Sequence, residues 1–168
     1  MSYSHNALIY ITLDLVGGEE KAKSIINKIN ECGLISAISS VYKRYLTKPF
    51  VDLSARIEFV IHFTTNMSVE QSLHLALSLS EEGQQGFNQK SHAELILLAY
   101  DHVVLMSPRL TLPYPLLHTD PLIIRCASEI WGTYEHPIFL KTLGEISRTA
   151  SSVPAVEFYI QGKSLVDF

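Results

Sequence analysis

The sequence contains 168 residues, which fits one domain, because domains most often have ~100–150 residues and a second core would be cramped. Hydrophobic residues make up 47% and charged residues 18% of the chain, a composition that excludes an intrinsically disordered protein. The net charge of −4 and the lack of a basic run argue against nucleic acid as a ligand. The low charged fraction fits either a strand-rich fold with a large core or a surface that a partner covers.

Three further features bear on location and cofactors. The N-terminal segment has no basic region, and Thr12 and Asp14 interrupt its apolar run, so it does not resemble a signal peptide. No run of about 18 apolar residues occurs, so the sequence predicts a cytoplasmic protein without a membrane span. Cys32 and Cys126 are far apart, which predicts reduced thiols and no structural zinc site.

The first half of the chain alternates strand and helix patterns. A β-branched run over 7–15 predicts a strand, and apolar residues at helical spacing over 18–32 predict a helix. Residues 34–44 predict a second strand, and the strict alternation of apolar residues over 57–64 predicts a third. A second helix over 68–82 begins at a capping box, in which a serine and a glutamine three residues later satisfy each other's amides.

The second half contains shorter patterns and a proline-rich loop. The predicted elements are a strand over 93–100, a hairpin turn at Asp101-His102 leading into 103–106, a loop over 108–121, helices over 121–130 and 138–148, and an edge strand over 156–160. The stretch 84–91, between the second helix and the fourth strand, is polar and nearly uncharged.

The order strand, helix, strand, strand, helix, strand is typical of the split βαβ arrangement in ferredoxin-like folds. We therefore expect an α+β fold whose two amphipathic helices pack on one face of the sheet, because each has a single apolar stripe to bury. Extra C-terminal helices and an edge strand follow this core. The whole chain, 1–168, is interpreted as one domain, with 151–168 as a C-terminal tail.

Motifs in the C-terminal half resemble those of one enzyme family. Residues 110–115 (LTLPYP) resemble the L-x-h-P-H-P loop of hydroxymethyldihydropterin pyrophosphokinase (HPPK), the folate-pathway kinase. Residues 122–124 and 128–130 are similar to the apolar run and the P-L-x-E-I segment that follow this loop in the family.

Upstream segments extend the resemblance. Residues 38–42 (ISSVY) resemble the family's V-S-S-x-Y strand, and residues 63–70 resemble its T-x-L-x-P-E-E-L start of a helix. The matches occur in the family's order and with its spacing over about 8–131. The resemblance therefore implies an HPPK-like fold and, for a working member, Mg²⁺ and ATP as cofactor and substrate.

The positions of the family's metal and ATP ligands differ in this sequence. The resemblance places the two metal-binding aspartates of a D-L-D strand at Glu94 and Ile96, and an aliphatic side chain offers Mg²⁺ no oxygen. The family's triphosphate-binding arginines fall within 86–92, where Lys90 is the only charged residue. Lys90, His92 and Glu94 are thus interpreted as a vestigial metal and ATP side. His92 and Glu94 share one strand face, but no third metal ligand is visible in the sequence.

The pterin side differs as well. The resemblance places the histidine of the P-H-P loop at Tyr114, the pterin-binding asparagine at Glu58 and the pterin-side loop around Tyr45. We interpret Tyr45, Glu58 and Tyr114 as vestigial pterin-side residues. We also expect Glu58, Glu94 and Tyr114 to line one concavity with the 84–91 stretch, and Lys90 to be the cation nearest to it in the sequence.

Two functions of different classes remain open. The altered motifs favour a non-catalytic relative, with no metal and no confident catalytic residue, that binds a protein partner, a second copy of itself or a residual pterin. The alternative is an active pyrophosphokinase with divergent ligands, which transfers diphosphate from ATP to hydroxymethyldihydropterin. A measurement of Mg-ATP binding would distinguish these two functions.

Overall fold

The computed structural model describes residues 2–82, 92–153 and 155–166. The strands are β1 (His5–Asp14), β2 (Leu34–Ile38), β3 (Val41–Tyr45), β4 (Ala55–Thr65), β5 (Ala93–Tyr100), β6 (Leu105–Met106), β7 (Thr111–Leu112), β8 (Glu135–His136), β9 (Lys141–Thr142) and β10 (Val156–Ile160). The helices are α1 (Gly18–Glu31), α2 (Val69–Glu82), α3 (Leu116–Thr119), α4 (Pro121–Trp131) and α5 (Leu143–Thr149), with short 3-10 turns at Asp52–Ser54 and Gly162–Leu165.

The main sheet has the strand order β10-β3-β4-β1-β5, and β2 pairs with β4 beside β3. Every neighbouring pair in it is antiparallel. With β2 and β3 counted as one bent strand, the inner order is that of the expected ferredoxin-like α+β core, and this prediction is confirmed. The expected edge strand is β10.

Each face of the sheet packs against its own helices. Ile9 and Ile11 of β1 lie in one apolar cluster with the buried side chains of α1 and α2, as the two amphipathic helices predict. Leu8 and Tyr10 lie in a second cluster with α4. Successive side chains of a strand point to opposite faces, so the alternation of β1 assigns its odd positions to α1 and α2 and its even positions to α4.

Two contacts fix the ends of these helices on the sheet. The capping box of α2 is confirmed, because the Ser68 amide donates to Gln71 Oε1 at 2.8 Å and the Gln71 amide donates to Ser68 Oγ at 3.2 Å. At the end of α4, the ring of Trp131 stacks on His62 of β4, with centroids 4.5 Å apart and planes 13° from parallel.

Three sequence-based expectations are wrong in detail. The second strand is broken at Ser39-Ser40 into β2 and β3, because Ser39 bonds across to Val60 through both its amide and its hydroxyl. The Asp101 turn does not lead into a hairpin with β5. The Asp101 carboxylate accepts a hydrogen bond from the Asn6 amide, which ties the turn to β1. The next strand, β6, pairs with β7 rather than with β5.

The third difference is the helix expected over 138–148. Residues 135–142 form the β8–β9 hairpin, in which Leu140 has a φ of 54° and donates its amide to the His136 carbonyl at 2.8 Å. Helix α5 begins only at Leu143, where Thr142 Oγ1 accepts the Glu145 amide. Within the described residues, no helix is long and apolar enough to cross a membrane.

The C-terminal segment crosses the break between β2 and β3 at Gly162. A Cβ atom at this position would lie 2.1 Å from the Ser39 carbonyl oxygen and 2.5 Å from Ile38 Cγ2. Glycine therefore allows the segment to approach the sheet backbone closely.

We expect Gly162→Ala to lower the free energy of unfolding by about 2–4 kcal/mol, because backbone must move to admit the methyl group. Chemical denaturation measures the change. Ser164→Ala is the matched control, since Ser164 is exposed in the same turn, and it should stay within about 0.5 kcal/mol of the parent. Equal stabilities of the two variants would contradict the close approach.

Candidate functional site

A cavity of about 760 Å³ lies along the outer edge of β5. Helix α2 forms one wall, and residues 107–111 with Tyr114 form the other. The Leu95 amide donates to Ser80 Oγ of α2 at 3.0 Å, and the Tyr114 amide donates to the Leu98 carbonyl at 2.8 Å. These bonds hold both walls against the strand edge and fix the width of the cavity.

One end of the cavity is polar and internally paired. Arg56 of β4 donates to Thr12 Oγ1 at 2.9 Å, to Asp14 Oδ1 at 2.8 Å and to the His92 carbonyl at 3.1 Å. Asp14 Oδ2 accepts the His92 amide at 3.0 Å. The guanidinium thus joins three chain segments, and its charge is largely used by Asp14.

The rest of the lining mixes apolar side chains with hydroxyl groups and two charges. Leu73 and Leu77 of α2 face Leu110 across the cavity. Glu94 and Arg109 also line it, and both are exposed. Within the part of the chain that the structure describes, neither makes an ion pair. Among the described residues, the cavity therefore offers a ligand one negative and one positive group that make no ion pair.

Beside the cavity, a buried ion network surrounds Glu58. This side chain is 4% exposed, and its two oxygens accept from the Tyr10 hydroxyl and, at 2.5 Å, from Arg44 Nε. Arg44 Nη2 also donates to both oxygens of Asp120 at 3.1 Å. Asp120 is the N-cap of α4 and accepts the Leu122 amide at 2.9 Å. One arginine therefore connects the sheet to the start of the helix that covers it.

Burial sets the electrostatics of this network. It raises the pKa of Glu58, while the Tyr10 hydroxyl and the Arg44 guanidinium act in the opposite direction. Burial and the Glu58 carboxylate raise the pKa of Tyr10, which keeps its hydroxyl a donor. Each Glu58 oxygen already has a strong donor from the protein, so the group is committed to internal contacts.

We expect Arg44→Met to lower the free energy of unfolding by about 3–5 kcal/mol, because it leaves a buried carboxylate without its cation. The double variant Arg44→Met with Glu58→Gln should lose less unfolding free energy than the two single variants lose together, and we expect the difference to be at least about 1 kcal/mol. Urea denaturation of the four proteins measures the coupling. Strict additivity would mean that the pair does not interact as described.

The structure distributes the predicted site residues over three places. His92, Glu94 and Tyr114 line the cavity, together with Ile96. Glu58 does not line it but lies in the buried network, so the expectation of one shared concavity is wrong for this residue. Tyr45 ends β3 and packs on Phe50, with ring centroids 5.3 Å apart. Lys90 and the 84–91 stretch fall outside the described residues.

Sequence reasoning missed the arginines. Arg56 and Arg109 line the cavity, and neither was predicted there. Lys90, the cation nearest to it in the sequence, is not among the described residues. The sequence did contain a signal for Arg56. Arg56 lies two residues before Glu58 in a strand with alternating apolar residues, so the two side chains are on the same face of the sheet. No sequence signal placed Arg44 against Glu58, because that contact depends on the register between two different strands.

Two histidines away from the cavity leave buried nitrogens without a hydrogen-bond partner among the described residues: His118 Nδ1 and His136 Nε2. His136 Nδ1 accepts the amides of Ile138 and Phe139 at 3.3 and 3.4 Å, so a neutral His136 has its proton on Nε2. Burial, and to a smaller extent the nearby His118, lower the pKa of His136 to about 4. The described residues contain no cluster of three or more metal-ligating side chains.

We expect the protein to lose about 3 kcal/mol of unfolding free energy through His136 as the pH falls from 6.5 to about 4, because the unfolded chain binds the proton more readily. Above pH 6.5 this effect is absent. Thermal unfolding across this range measures it. His136→Asn, which keeps an acceptor near the two amides, should flatten the pH profile, whereas the exposed control His74→Asn should leave it unchanged.

The fold has counterparts among solved structures. A triple mutant of the HPPK-DHPS of Plasmodium falciparum with pterin and p-hydrobenzoate matches 88% of this chain at 8% identity, with a TM-score of 0.61. A different triple mutant of the same protein with pteroate matches 86% at 9% identity, with a TM-score of 0.62. The chain has an HPPK-like fold. It covers 44% and 43% of those chains, less than half of their length. No family model and no curated protein match the sequence.

Proposed function

We propose that this protein is a non-catalytic relative of HPPK, which binds a ligand or a protein partner in the cavity beside β5 without transferring diphosphate. The proposal joins the HPPK-like fold to the sequence resemblance described above. Its main support is the state of Glu58, which stands where the resemblance implies a pterin-binding asparagine.

The network around Glu58 argues against pterin binding at this position. A pterin ring presents neighbouring N–H groups on one edge, and the planar guanidinium of Arg44 presents a similar set of donors. Arg44 and Tyr10 already donate to the two oxygens of Glu58. A pterin would have to displace a buried ion pair that also caps α4 through Asp120, which costs several kcal/mol.

The metal side gives independent support. Two Mg²⁺ ions need several oxygen ligands in octahedral geometry. At the positions that the resemblance assigns to the metal carboxylates, Glu94 supplies one carboxylate and Ile96 supplies none. Phosphoryl transfer depends on metals and cations that neutralise the charge of the transferring group. A single carboxylate at these two positions is a poor basis for that chemistry.

The cavity nevertheless has the properties of a binding site. Its volume of about 760 Å³ lies within the range of small-molecule sites, roughly 300–1,000 Å³. Its walls combine apolar and polar side chains, and Glu94 and Arg109, which make no ion pair among the described residues, can orient a ligand that has both an acceptor and a donor or cation. Binding without turnover therefore agrees with the part of the site that is open.

An active pyrophosphokinase is the second candidate. The presence of Arg56 and Arg109 in the cavity favours it, because a triphosphate needs cations. Arg56, however, is paired with Asp14 at 2.8 Å, which leaves Arg109 as the cation without an ion-pair partner among the described lining residues.

We expect no AMP above background when the protein is incubated with Mg-ATP and hydroxymethyldihydropterin, in parallel with an active HPPK as positive control. Ile96→Asp, which adds a second carboxylate, should remain inactive, because Glu58 stays engaged with Arg44. Leu77→Asp adds a carboxylate to the opposite wall and is the matched control. Turnover of the parent protein on the order of 1 s⁻¹, the low end of common enzyme rates, would establish the second candidate instead.

A further inference from the structure

The β8–β9 hairpin is held from inside by the side chain of His136. This residue is fully buried, and its Nδ1 accepts the amides of Ile138 and Phe139 at 3.3 and 3.4 Å. Both amides belong to the turn that joins the two short strands, so the unprotonated ring nitrogen takes the place of a backbone acceptor. The conformation of the turn therefore depends on a neutral His136.

The hairpin packs on α3 through a cluster of three rings. The ring of His118, in α3, lies 5.4 Å from the ring of His136 and 4.8 Å from that of Phe139, measured between centroids. The rings of Phe139 and His136 lie 4.7 Å apart. His118 is thus the side chain through which this cluster connects the hairpin to α3.

Helix α3 in turn supports one wall of the cavity beside β5. Tyr114 lines this cavity. Its carbonyl accepts the Leu117 amide of α3 at 2.9 Å, and its own amide donates to the Leu98 carbonyl at 2.8 Å. The next residue, Pro115, accepts the His118 amide at 3.1 Å. The helical turn that contains His118 therefore begins at the cavity wall.

Protonation of His136 is incompatible with the closed hairpin. A proton on Nδ1 removes the acceptor of the two turn amides. Nε2 already has no hydrogen-bond partner among the described residues, so the imidazolium would be buried with poorly satisfied donors. Burial also lowers the pKa of His118, so both rings of the cluster favour the neutral form while the hairpin is closed.

The charges around the cluster do not compensate an imidazolium. His118 of α3 is the titratable group whose charge acts on His136, and it has the same sign. Glu135 and Lys141 of the hairpin and Glu145 of α5 are exposed. Within the part of the chain that the structure describes, neither histidine of the cluster makes an ion pair.

The hairpin also has features of a segment that opens locally. Its strands pair over two residues each, and the side chains of Ile138, Phe139 and Leu140 in the turn are exposed. Leu140 has a φ of 54°, a left-handed conformation that is unfavourable for a residue with a side chain. Few buried contacts and local strain make opening of such a segment less costly than unfolding of the whole protein.

We propose that the β8–β9 hairpin is a pH-sensitive switch, which opens when His136 is protonated and thereby loosens α3 and the Tyr114 wall of the cavity. In the open hairpin His136 reaches water and binds its proton in the ordinary range, so opening becomes more favourable as the pH falls below about 6.5. At higher pH the hairpin stays closed. The consequence for ligand binding rests on the proposed function, in which this cavity holds the ligand.

Amide hydrogen exchange of the isotope-labelled full chain, corrected for the intrinsic exchange rate, tests the switch at about pH 7.5 and about pH 5. The reporters are the amides of Leu140, Leu117 and Tyr114, which donate to carbonyls of the hairpin, of the cavity wall and of β5. Their protection should fall at least about 30-fold, the factor given by a pKa of about 4 in the closed and 6.5 in the open hairpin.

The Val60 amide separates local opening from global unfolding. It donates to Ser39 Oγ at 2.9 Å in the central strand and should exchange only when the whole protein unfolds. We expect its protection to exceed that of the three reporters by at least about 100-fold at both pH values. Low urea concentrations, which promote global unfolding, should leave exchange of the reporters unchanged.

Three variants test the path from the hairpin to the cavity. His136→Asn keeps an acceptor for the turn amides but does not titrate, so it should abolish the pH response of all reporters. His118→Ala should preserve the response of Leu140 and abolish that of Tyr114, because the contact with α3 is lost. His74→Asn is the matched control, since His74 is exposed on α2, and it should respond like the parent.

The outcomes are distinct. The switch is overturned if the Leu140 amide does not respond to pH, if its protection equals that of Val60, or if His136→Asn responds like the parent. The coupling is overturned if the Tyr114 amide keeps its protection while Leu140 responds. Formation of AMP from Mg-ATP would instead overturn the proposed function and would leave the exchange results unchanged.

Discussion

The contact between Arg44 and Glu58 links the sheet to the layer of helices that covers one of its faces. Glu58 is buried on the central strand β4, where an unpaired carboxylate would be strongly destabilising. Arg44 compensates its charge and extends to Asp120, which in turn starts α4. The position of α4, and with it the second apolar cluster, therefore depends on a network of two ion pairs whose three residues come from separate segments.

This dependence also relates the fold to the proposed function. The same carboxylate that holds α4 would have to contact a pterin if the site worked as the resemblance implies. A group that is needed for packing is not available to a ligand, unless ligand binding compensates the free energy that is lost with the packing contact. The cavity beside β5 is not limited in this way, because Glu94 and Arg109 hold no comparable contact among the described residues.

The sequence predicts those parts of the fold that depend on local periodicity. The alternation in β4 and the capping box of α2 are visible in a single segment, and both are present in the structure. The β8–β9 hairpin was missed because its short strands resemble a helix by composition, and the left-handed Leu140 leaves no glycine signal. In the site, the cavity residues His92, Glu94 and Tyr114 were found through the resemblance. The engagement of Glu58 was not, because it depends on the register of β1 and β3 against β4.

The stacking of Trp131 on His62 has a practical consequence for experiments with this protein. Trp131 is the only tryptophan of the chain, and His62 lies six residues along β4 from Arg56, a distance of about 20 Å in an extended strand. The fluorescence of Trp131 therefore reports how α4 packs on the sheet, because a molecule in the cavity would not contact the tryptophan directly. Changes in emission during a titration would reveal that a ligand at one end of the sheet alters helix packing at the other.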